Sequence, residues 1–171
     1  MYTGIFDTHA HYVNKRFDSD REWLLKTALP EGGVTQIMLP GITLGDSAEN
    51  IALAAQYDYV YPAVGIHPLH VEGLPEDWET QLRTLAADPS VLAIGEAGLD
   101  FHREVYDPAL QEHVFRVQLE LAAELGKPLI FHFREATGAA LKILREYRPQ
   151  GVAHCFSGSK EVARELTDMG I

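Results

Sequence analysis

Six short apolar segments recur along the chain, separated by polar and helix-forming stretches. They read GIFDTH, TQIMLPG, YVYPAVGIH, SVLAIGEAG, KPLIFHF and GVAHCF. Their apolar character is nearly continuous rather than alternating, which is typical of parallel strands covered by helices. One intervening stretch has clear helix ends, because Asp107 and Pro108 begin it and Gly126 ends it. The pattern predicts an α/β fold with six parallel strands.

Length and charge limit the classes of protein that fit. The 171 residues predict one domain, and 14 basic against 25 acidic side chains give a net charge of −11. Such a chain lacks the basic surplus that displaces counterions from nucleic acid, so binding a polyanion requires a local cation. The single Cys155, expected to fill the core, excludes an internal disulfide. With no signal-like N-terminus and no apolar run of membrane-spanning length, we expect a cytoplasmic protein without membrane contact.

Residues that bind metals or transfer protons collect where the apolar segments end. They are His9, His11, His67, Glu96, His132 and His154. The carboxyl ends of parallel strands meet at one edge of a sheet or barrel, where functional groups gather. A histidine pair such as His9 and His11 is weak support for a metal site by itself. The shared position of all six residues predicts a common site.

Glu96 lies in the apolar, glycine-rich stretch VLAIGEAGLD. A carboxylate buried there needs a cation or strong hydrogen bonds to stay ionised. Metal binding is favoured over pairing with an arginine. A carboxylate between imidazole groups can bridge two metal ions and leave positions for water and substrate.

Six ordered motifs carry a resemblance to a known family. They are FDTHAH, AVGIHPLHV, AIGEAGLDF, the Q-x-x-x-F-x-x-Q-L-x-L-A run over 111–122, KPLIFHFREA and HCFSGS. Together they resemble the TatD family of metal-dependent deoxyribonucleases. The resemblance implies a TIM-type (β/α)8 barrel holding one or two divalent ions, Mg²⁺, Mn²⁺ or Zn²⁺. It also implies phosphodiester hydrolysis as a 3′-to-5′ exonuclease, with single-stranded DNA or 3′ ends as the substrate.

The resemblance also implies roles for individual residues. His9 and His11 resemble ligands of a first metal, Glu96 the bridging ligand, and His132 and His154 ligands of a second metal. His67 is similar to an active-site histidine that contacts substrate or assists proton transfer.

Two further residues near these motifs have open roles. Asp100 either orients a ligand and polarises water or caps the next turn. Arg134 either contacts a phosphate or pairs with Glu135.

The chain contains six of the eight β/α units of a complete barrel, so we expect a domain over 1–171 that is incomplete at its C-terminal side. Members of the resembled family carry an aspartate in a T-D-x-P setting on the eighth strand. It resembles both a metal ligand and the group that activates water. We therefore expect metal capture with weakened hydrolysis, because general base catalysis contributes about 10²–10⁴-fold. Open sheet edges predict a homo-oligomer or closure by a further C-terminal segment.

Two other functions fit the same residues. A metal-dependent hydrolase of a small amide, lactone or ester uses a similar set of ligands. Lys127 argues against it, because this lysine precedes the fifth strand and cannot serve as a carbamylated ligand pointing from it. The other alternative is a non-catalytic metal-binding fragment.

Overall fold

The sheet contains six strands in sequential order. The computed structural model describes residues 4–103 and 106–171. The strands are β1 (Ile5–Asp7), β2 (Val34–Leu39), β3 (Val60–Val64), β4 (Ala93–Asp100), β5 (Leu129–Arg134) and β6 (Gly151–Ala153). Each strand pairs in parallel with the next one along the chain. The predicted α/β fold is confirmed: six parallel strands with helices form a half-barrel of the TIM type.

Helices connect the strands. A first helical segment runs from α1 (Arg21–Trp23) through a π-helical stretch, Leu24–Ala28, into α2 (Leu29–Glu31). The others are α3 (Leu44–Ala54), α4 (Trp78–Ala86), α5 (Pro108–Leu125), α6 (Thr137–Tyr147) and α7 (Lys160–Asp168), with short 3₁₀ turns at Lys15–Phe17 and Pro68–His70. Within residues 4–103 and 106–171, no helix has the length and apolarity to span a membrane.

Helix α5 begins and ends as the sequence predicts. The Asp107 carboxylate accepts hydrogen bonds from the backbone N–H groups of Ala109 and Leu110, both at 3.0 Å. At the other end, Gly126 adopts the left-handed conformation with φ of 63°. These caps satisfy backbone groups that a helix leaves unpaired at its termini.

The two faces of the sheet differ in what covers them. Phe115 on α5 meets Phe131 on β5 edge to face, with ring centroids 6.3 Å apart, inside the main core. Burying each such ring contributes about 1.5–3 kcal/mol. A separate small cluster contains Ala63, Ala93 and Ile130. Because successive residues of a strand alternate in direction, Ala93 and Ile130 lie on the face opposite to Ile94 and Phe131, which belong to the main core.

Two glycines allow the central strands to approach closely. Gly98 has φ of 152°, and a Cβ there would lie 1.7 Å from the carbonyl oxygen of His132. A Cβ on Gly65 would lie 2.6 Å from the carbonyl carbon of Gly95. Side chains at these positions would separate β4 from its neighbours. The glycines around Glu96 therefore bring that carboxylate close to residues of the adjacent strands.

Candidate metal centre

The structure brings the six predicted residues together at one edge of the half-barrel. Four of the five histidines lie just beyond strand ends: His9 and His11 after β1, His67 after β3 and His154 after β6, whereas His132 lies within β5, two residues before its end. Glu96 was expected near the end of its strand but lies in the middle of β4. It still reaches the cluster, because its backbone N–H donates to the carbonyl of Gly41, 2.7 Å away, in the loop that follows β2.

Strand β1 is shorter than the sequence suggests. It ends at Asp7, so His9 and His11 occupy the loop that follows it. The Asp7 carboxylate accepts from the N–H of His9 at 3.3 Å, and the N–H of Ala10 donates to the carbonyl of Met38 at 3.1 Å. These bonds fix the loop so that both imidazoles still converge.

One oxygen of Glu96 faces the first-strand histidines. Its Oε2 lies 3.2 Å from Nε2 of His9 and 3.7 Å from Nε2 of His11. The two histidine Nε2 atoms are themselves 3.1 Å apart. His154 stacks on His9, with ring centroids 3.4 Å apart and planes inclined by 11°. His9, Glu96 and His154 can converge on a single ion.

The other oxygen of Glu96 faces the remaining histidines. Its Oε1 lies 3.0 Å from Nδ1 of His132 and 3.7 Å from Nε2 of His67. The His67 and His132 ring centroids are 4.3 Å apart. The nitrogen and oxygen atoms of these three residues also converge, as a second group beside the first. In the structure, His154 belongs to the same group as His9. The family resemblance instead implies that His154 binds the second metal together with His132.

Glu96 is an ionised carboxylate inside the protein, with 4% of its surface exposed. Burial alone raises the pKa of Glu96, but the hydrogen bonds from His132 and His9 outweigh it. The resulting pKa is well below the ordinary range of a glutamate. A negative charge is thus held at the centre of the imidazoles.

His67 has a fixed pattern of hydrogen bonds. Its Nδ1 accepts from the backbone N–H of Leu69 at 3.1 Å. The backbone N–H of His67 donates to the carbonyl of Ile42 at 3.0 Å. A neutral imidazole that accepts at Nδ1 carries its proton on Nε2, the atom facing Glu96. Burial lowers the pKa of His67 to about 4, which keeps the ring neutral near pH 7. His67 is therefore arranged as a hydrogen-bond donor.

His132 lies between two carboxylates. Its Nδ1 faces Glu96, and its Nε2 lies 2.9 Å from Oδ2 of Asp100. Burial lowers the pKa of His132, but the hydrogen bonds to Glu96 and Asp100 raise it above the ordinary value. With Nε2–H donating to Asp100, Nδ1 is the nitrogen available for a cation beside Glu96. Carboxylates commonly orient metal-binding histidines in this way.

The donor set fits a divalent cation. Burial and the neighbouring His9 lower the pKa of both His11 and His154, so both rings are neutral and carry lone pairs. The buried Nδ1 of His9 has no hydrogen-bond partner among the described residues. Crowded imidazole nitrogens around one carboxylate are the ligands that zinc and related transition metals prefer. The cluster therefore supports one or two divalent ions.

The other predicted residues surround this cluster. The Asp100 carboxylate makes two contacts: Oδ1 accepts from the N–H of His102 at 3.0 Å, and Oδ2 lies 2.9 Å from Nε2 of His132. Arg134 is exposed, and its predicted alternative partner Glu135 instead binds Nδ1 of His102 at 2.6 Å. Arg134 lies two residues beyond His132 on the same strand, hence on the same face.

The prediction that Cys155 fills the core is wrong. Strand β6 ends at Ala153, so Cys155 lies in a turn with φ of 49° and is exposed. The prediction assumed that the strand continues through Cys155, but β6 ends before this residue.

Sequence analysis did not identify Gln111 and Gln118 as functional residues. Both lie on the buried face of α5, and their side chains bind the backbone of strand ends beside the centre. Their spacing could have indicated such a role, because two glutamines seven residues apart lie among the apolar residues of the helix. A polar side chain buried there needs hydrogen-bond partners.

Comparison with known proteins agrees with the geometry. The model of the family described as TatD related DNase matches residues 6–171. The chain belongs to this family.

Several TatD-family relatives cover almost the whole chain. A Bacillus subtilis protein named as the uncharacterized metal-dependent hydrolase YabD is 37% identical over 168 residues, covering 96% of this chain and 66% of its own. A Cronobacter sakazakii protein named 3′-5′ ssDNA/RNA exonuclease TatD is 36% identical over 170 residues, covering 98% of this chain and 64% of its own.

A solved structure of a TatD homolog from Escherichia coli, YJJV, superposes with a TM-score of 0.89. The two chains are 31% identical, and the match covers 97% of this chain and 65% of that one. The chain thus spans slightly less than two thirds of the length of these relatives.

Proposed function

We propose that this TatD-family chain is a metal-dependent phosphodiesterase that acts as a 3′-to-5′ exonuclease on single-stranded DNA. The observation that carries the proposal is the buried Glu96 carboxylate, whose two oxygens face two groups of imidazoles. The C. sakazakii relative, named as a 3′-5′ ssDNA/RNA exonuclease, supports this choice of substrate.

Five residues would hold the cation or cations. They are His9, His11, Glu96, His132 and His154, as the sequence predicts. A bound divalent ion lowers the pKa of coordinated water toward neutrality and stabilises charge that develops on the phosphate. Glu96 contributes the negative charge that attracts the ion, and its burial keeps this charge poorly screened by water.

His67 is proposed as the catalytic hydrogen-bond donor. Its Nε2–H is directed into the cluster while Leu69 occupies Nδ1, so the ring can donate to a phosphate oxygen. Because its lone pair is already used, His67 is a poorer metal ligand than His132. The lowered pKa keeps the ring neutral, which lets it bind substrate without adding a second positive charge beside the cation.

Asp100 and Arg134 support binding and orientation. Asp100 is 2% exposed and holds Nε2–H of His132, which leaves Nδ1 directed toward Glu96. Arg134 offers an exposed guanidinium next to the strand end and can contact a phosphate with two parallel N–H groups. In a chain of net charge −11, the cation and this arginine provide the positive charge that a polyanion requires.

The small-molecule alternative is disfavoured by the position of Lys127. The Nζ of Lys127 donates to the carbonyl of Ala86 at 2.5 Å, and Lys127 precedes the amino end of β5. His132 lies five residues further along, about 16 Å at the rise of an extended strand. A carbamylated form of Lys127 would therefore lie away from the cluster.

The edges of the sheet support a proposal about association. Among the residues that the structure describes, strands β1 and β6 each pair with one neighbouring strand, and Phe6 and Val152 on them are 44% and 49% exposed. A cavity of about 620 Å³ lies between them, lined in part by Met38 and Ile130. We propose that residues 1–171 form one domain whose edges are covered by a second copy or by a further segment of the protein.

A single, exposed Cys155 is consistent with a reducing, cytoplasmic location.

The nuclease proposal is tested by following nucleotide release from single-stranded DNA labelled at its 3′ end, with Mg²⁺ or Mn²⁺. We expect release that EDTA abolishes and that a Glu96→Ala variant lacks. A matched oligonucleotide with a blocked 3′ end should resist cleavage. A folded protein that binds metal but releases no nucleotide would contradict the proposal and favour the non-catalytic alternative.

A further inference from the structure

Two buried glutamines on α5 face the strand ends that carry the candidate site. Gln111 is 2% exposed and Gln118 is 0% exposed. They are seven residues apart, about two turns, so they lie on the same face of the helix. Buried amide groups are almost always hydrogen-bonded, so what these two bind shows what the helix face holds in place.

Gln118 binds the residue that precedes His67. Its Oε1 accepts from the N–H of Ile66 at 2.8 Å, and its Nε2 donates to the carbonyl of Ile66 at 3.0 Å. A further contact joins Nε2 to the carbonyl of Val114 at 3.3 Å, one turn back on α5. The amide thus pairs with both backbone groups of one residue, as a neighbouring strand would. This bond pair fixes the backbone from which His67 projects.

Gln111 binds Asp100 in the same way. Its Oε1 accepts from the N–H of Asp100 at 2.9 Å, and its Nε2 donates to the carbonyl of Asp100 at 3.0 Å. Asp100 is the last residue of β4, and its carboxylate binds Nε2 of His132. Gln111 is therefore connected to His132 through a single intervening residue.

We propose that Gln111 and Gln118 are positioning residues that connect α5 to different parts of the site. Gln111 fixes Asp100 and thereby the orientation of His132, whereas Gln118 fixes His67 relative to Glu96. The activity component of this inference rests on the proposed nuclease function; the metal-binding component does not. Glutamine is suited to the role because its amide offers an acceptor and a donor side by side. Glutamate keeps only acceptors when ionised, and methionine offers no N–H donor.

The test replaces each glutamine with an apolar side chain of similar length, Gln111→Met and Gln118→Met. Leu119→Ala is the matched control, because Leu119 lies on the same helix, is 1% exposed and packs in the main core. Four quantities are measured: the thermal midpoint, the dissociation constant for Co²⁺ from its visible absorbance, and kcat and KM for 3′-labelled single-stranded DNA.

The expected results differ between the two variants. Gln111→Met should weaken Co²⁺ binding about 10–100-fold, as loss of an outer partner of a metal ligand does. Gln118→Met should leave Co²⁺ affinity within about 2-fold and lower kcat about 10–100-fold at unchanged KM, because it displaces His67 alone. Leu119→Ala should lower the thermal midpoint by a comparable amount, while the folded protein keeps the Co²⁺ dissociation constant and kcat of the parent.

A purely structural role for the glutamines predicts a different outcome. All three variants would then lose thermal stability, while Co²⁺ affinity and kcat of the folded protein stay within about 2-fold of the parent. That result would overturn the proposal. Should a methionine variant not fold, Gln111→Asn and Gln118→Asn keep the amide donor and acceptor on a side chain one methylene shorter, and each should give an intermediate effect on the same quantity.

Readouts without turnover separate this inference from the nuclease proposal. Long-range ¹H–¹⁵N spectra of the metal-free protein report which nitrogen of each imidazole is protonated. In the parent, Nδ1 of His67 should appear as an acceptor, and Gln118→Met should shift His67 toward a mixture of tautomers while His132 is unchanged. An unchanged His67 signal in Gln118→Met would contradict the positioning role even if no DNA is cleaved.

Discussion

The Glu96 carboxylate lies 3.0 Å from Nδ1 of His132, across the β4–β5 pair. Its other oxygen lies 3.2 Å from Nε2 of His9, so one buried side chain connects imidazoles from β5 and from the loop after β1. No Lys or Arg of the described residues pairs with it by a salt bridge. The positive charge that balances Glu96 must therefore come from protonated imidazole or from a cation.

Replacing Glu96 with glutamine should abolish tight metal binding. Glu96→Gln keeps the shape but removes the charge that both ion positions share. We expect Mn²⁺ affinity to fall more than about 100-fold, beyond the range typical of outer partners. Isothermal titration measures this, with Glu135→Gln as control, because Glu135 is an exposed rim carboxylate bound to His102. Equal losses in both variants would argue against a special role for Glu96.

The pKa values of His67 and His132 should depart in opposite directions from the ordinary histidine value of 6.5, although the two ring centroids are only 4.3 Å apart. Burial lowers the pKa of His67 to about 4, whereas Glu96 and Asp100 raise the pKa of His132. Lowering the pH of the metal-free protein should therefore protonate His132 well before His67. NMR titration of the imidazole protons checks the order, and simultaneous protonation near pH 6.5 would contradict it.

The same shift predicts how pH affects metal affinity. A proton and a metal ion compete for Nδ1 of His132, so protonation of this ring weakens binding. Because its pKa is raised above the ordinary value, Mn²⁺ affinity should already fall at a pH above 6.5 as the pH is lowered, and it should fall less steeply in a His132→Gln variant.

Asp100→Asn should weaken metal binding by a different route. The amide cannot provide the negative charge that stabilises protonated His132, and it accepts a weaker hydrogen bond from Nε2–H. We expect the pKa of His132 to fall and Mn²⁺ affinity to drop about 10–100-fold. Both are measurable on one sample by NMR and titration calorimetry. A lower affinity with an unchanged His132 pKa would show that Asp100 acts elsewhere.

The sequence predicted the sheet and the convergence of the candidate residues because both depend on regular patterns, and the roles of these residues stay predictions. Continuous apolar runs specify buried parallel strands, and strand ends specify one shared edge, so His67, His132 and His154 were placed correctly relative to one another. Glu96 was predicted as a site residue for its apolar surroundings, although it lies in mid-strand.

Finer features depended on side-chain partners that spacing cannot give. Nothing in the sequence indicates that Nδ1 of His67 accepts from Leu69, or that Glu135 binds His102 instead of Arg134. The glutamines of α5 were visible only as part of a motif. Their role depends on contacts over a long sequence distance, such as Gln118 with Ile66.

Gly98 should be among the positions least tolerant of a methyl group. Gly98→Ala would place a Cβ 1.7 Å from the carbonyl of His132 at a φ of 152°, so β4 and β5 must separate or the backbone must change. Strain and overpacking each cost about 1–3 kcal/mol, so we expect the free energy of unfolding to drop by at least about 2 kcal/mol. Metal affinity should fall with it, because the β4–β5 spacing sets the distance from Glu96 to His132.

Gly138→Ala is the matched control: Gly138 lies in α6 with nothing within 4 Å of an added Cβ, so the change should be neutral or stabilise by up to about 1 kcal/mol. Urea denaturation of both variants measures the difference, and a Gly98→Ala protein as stable as the Gly138→Ala protein would show that the close β4–β5 approach does not determine the site.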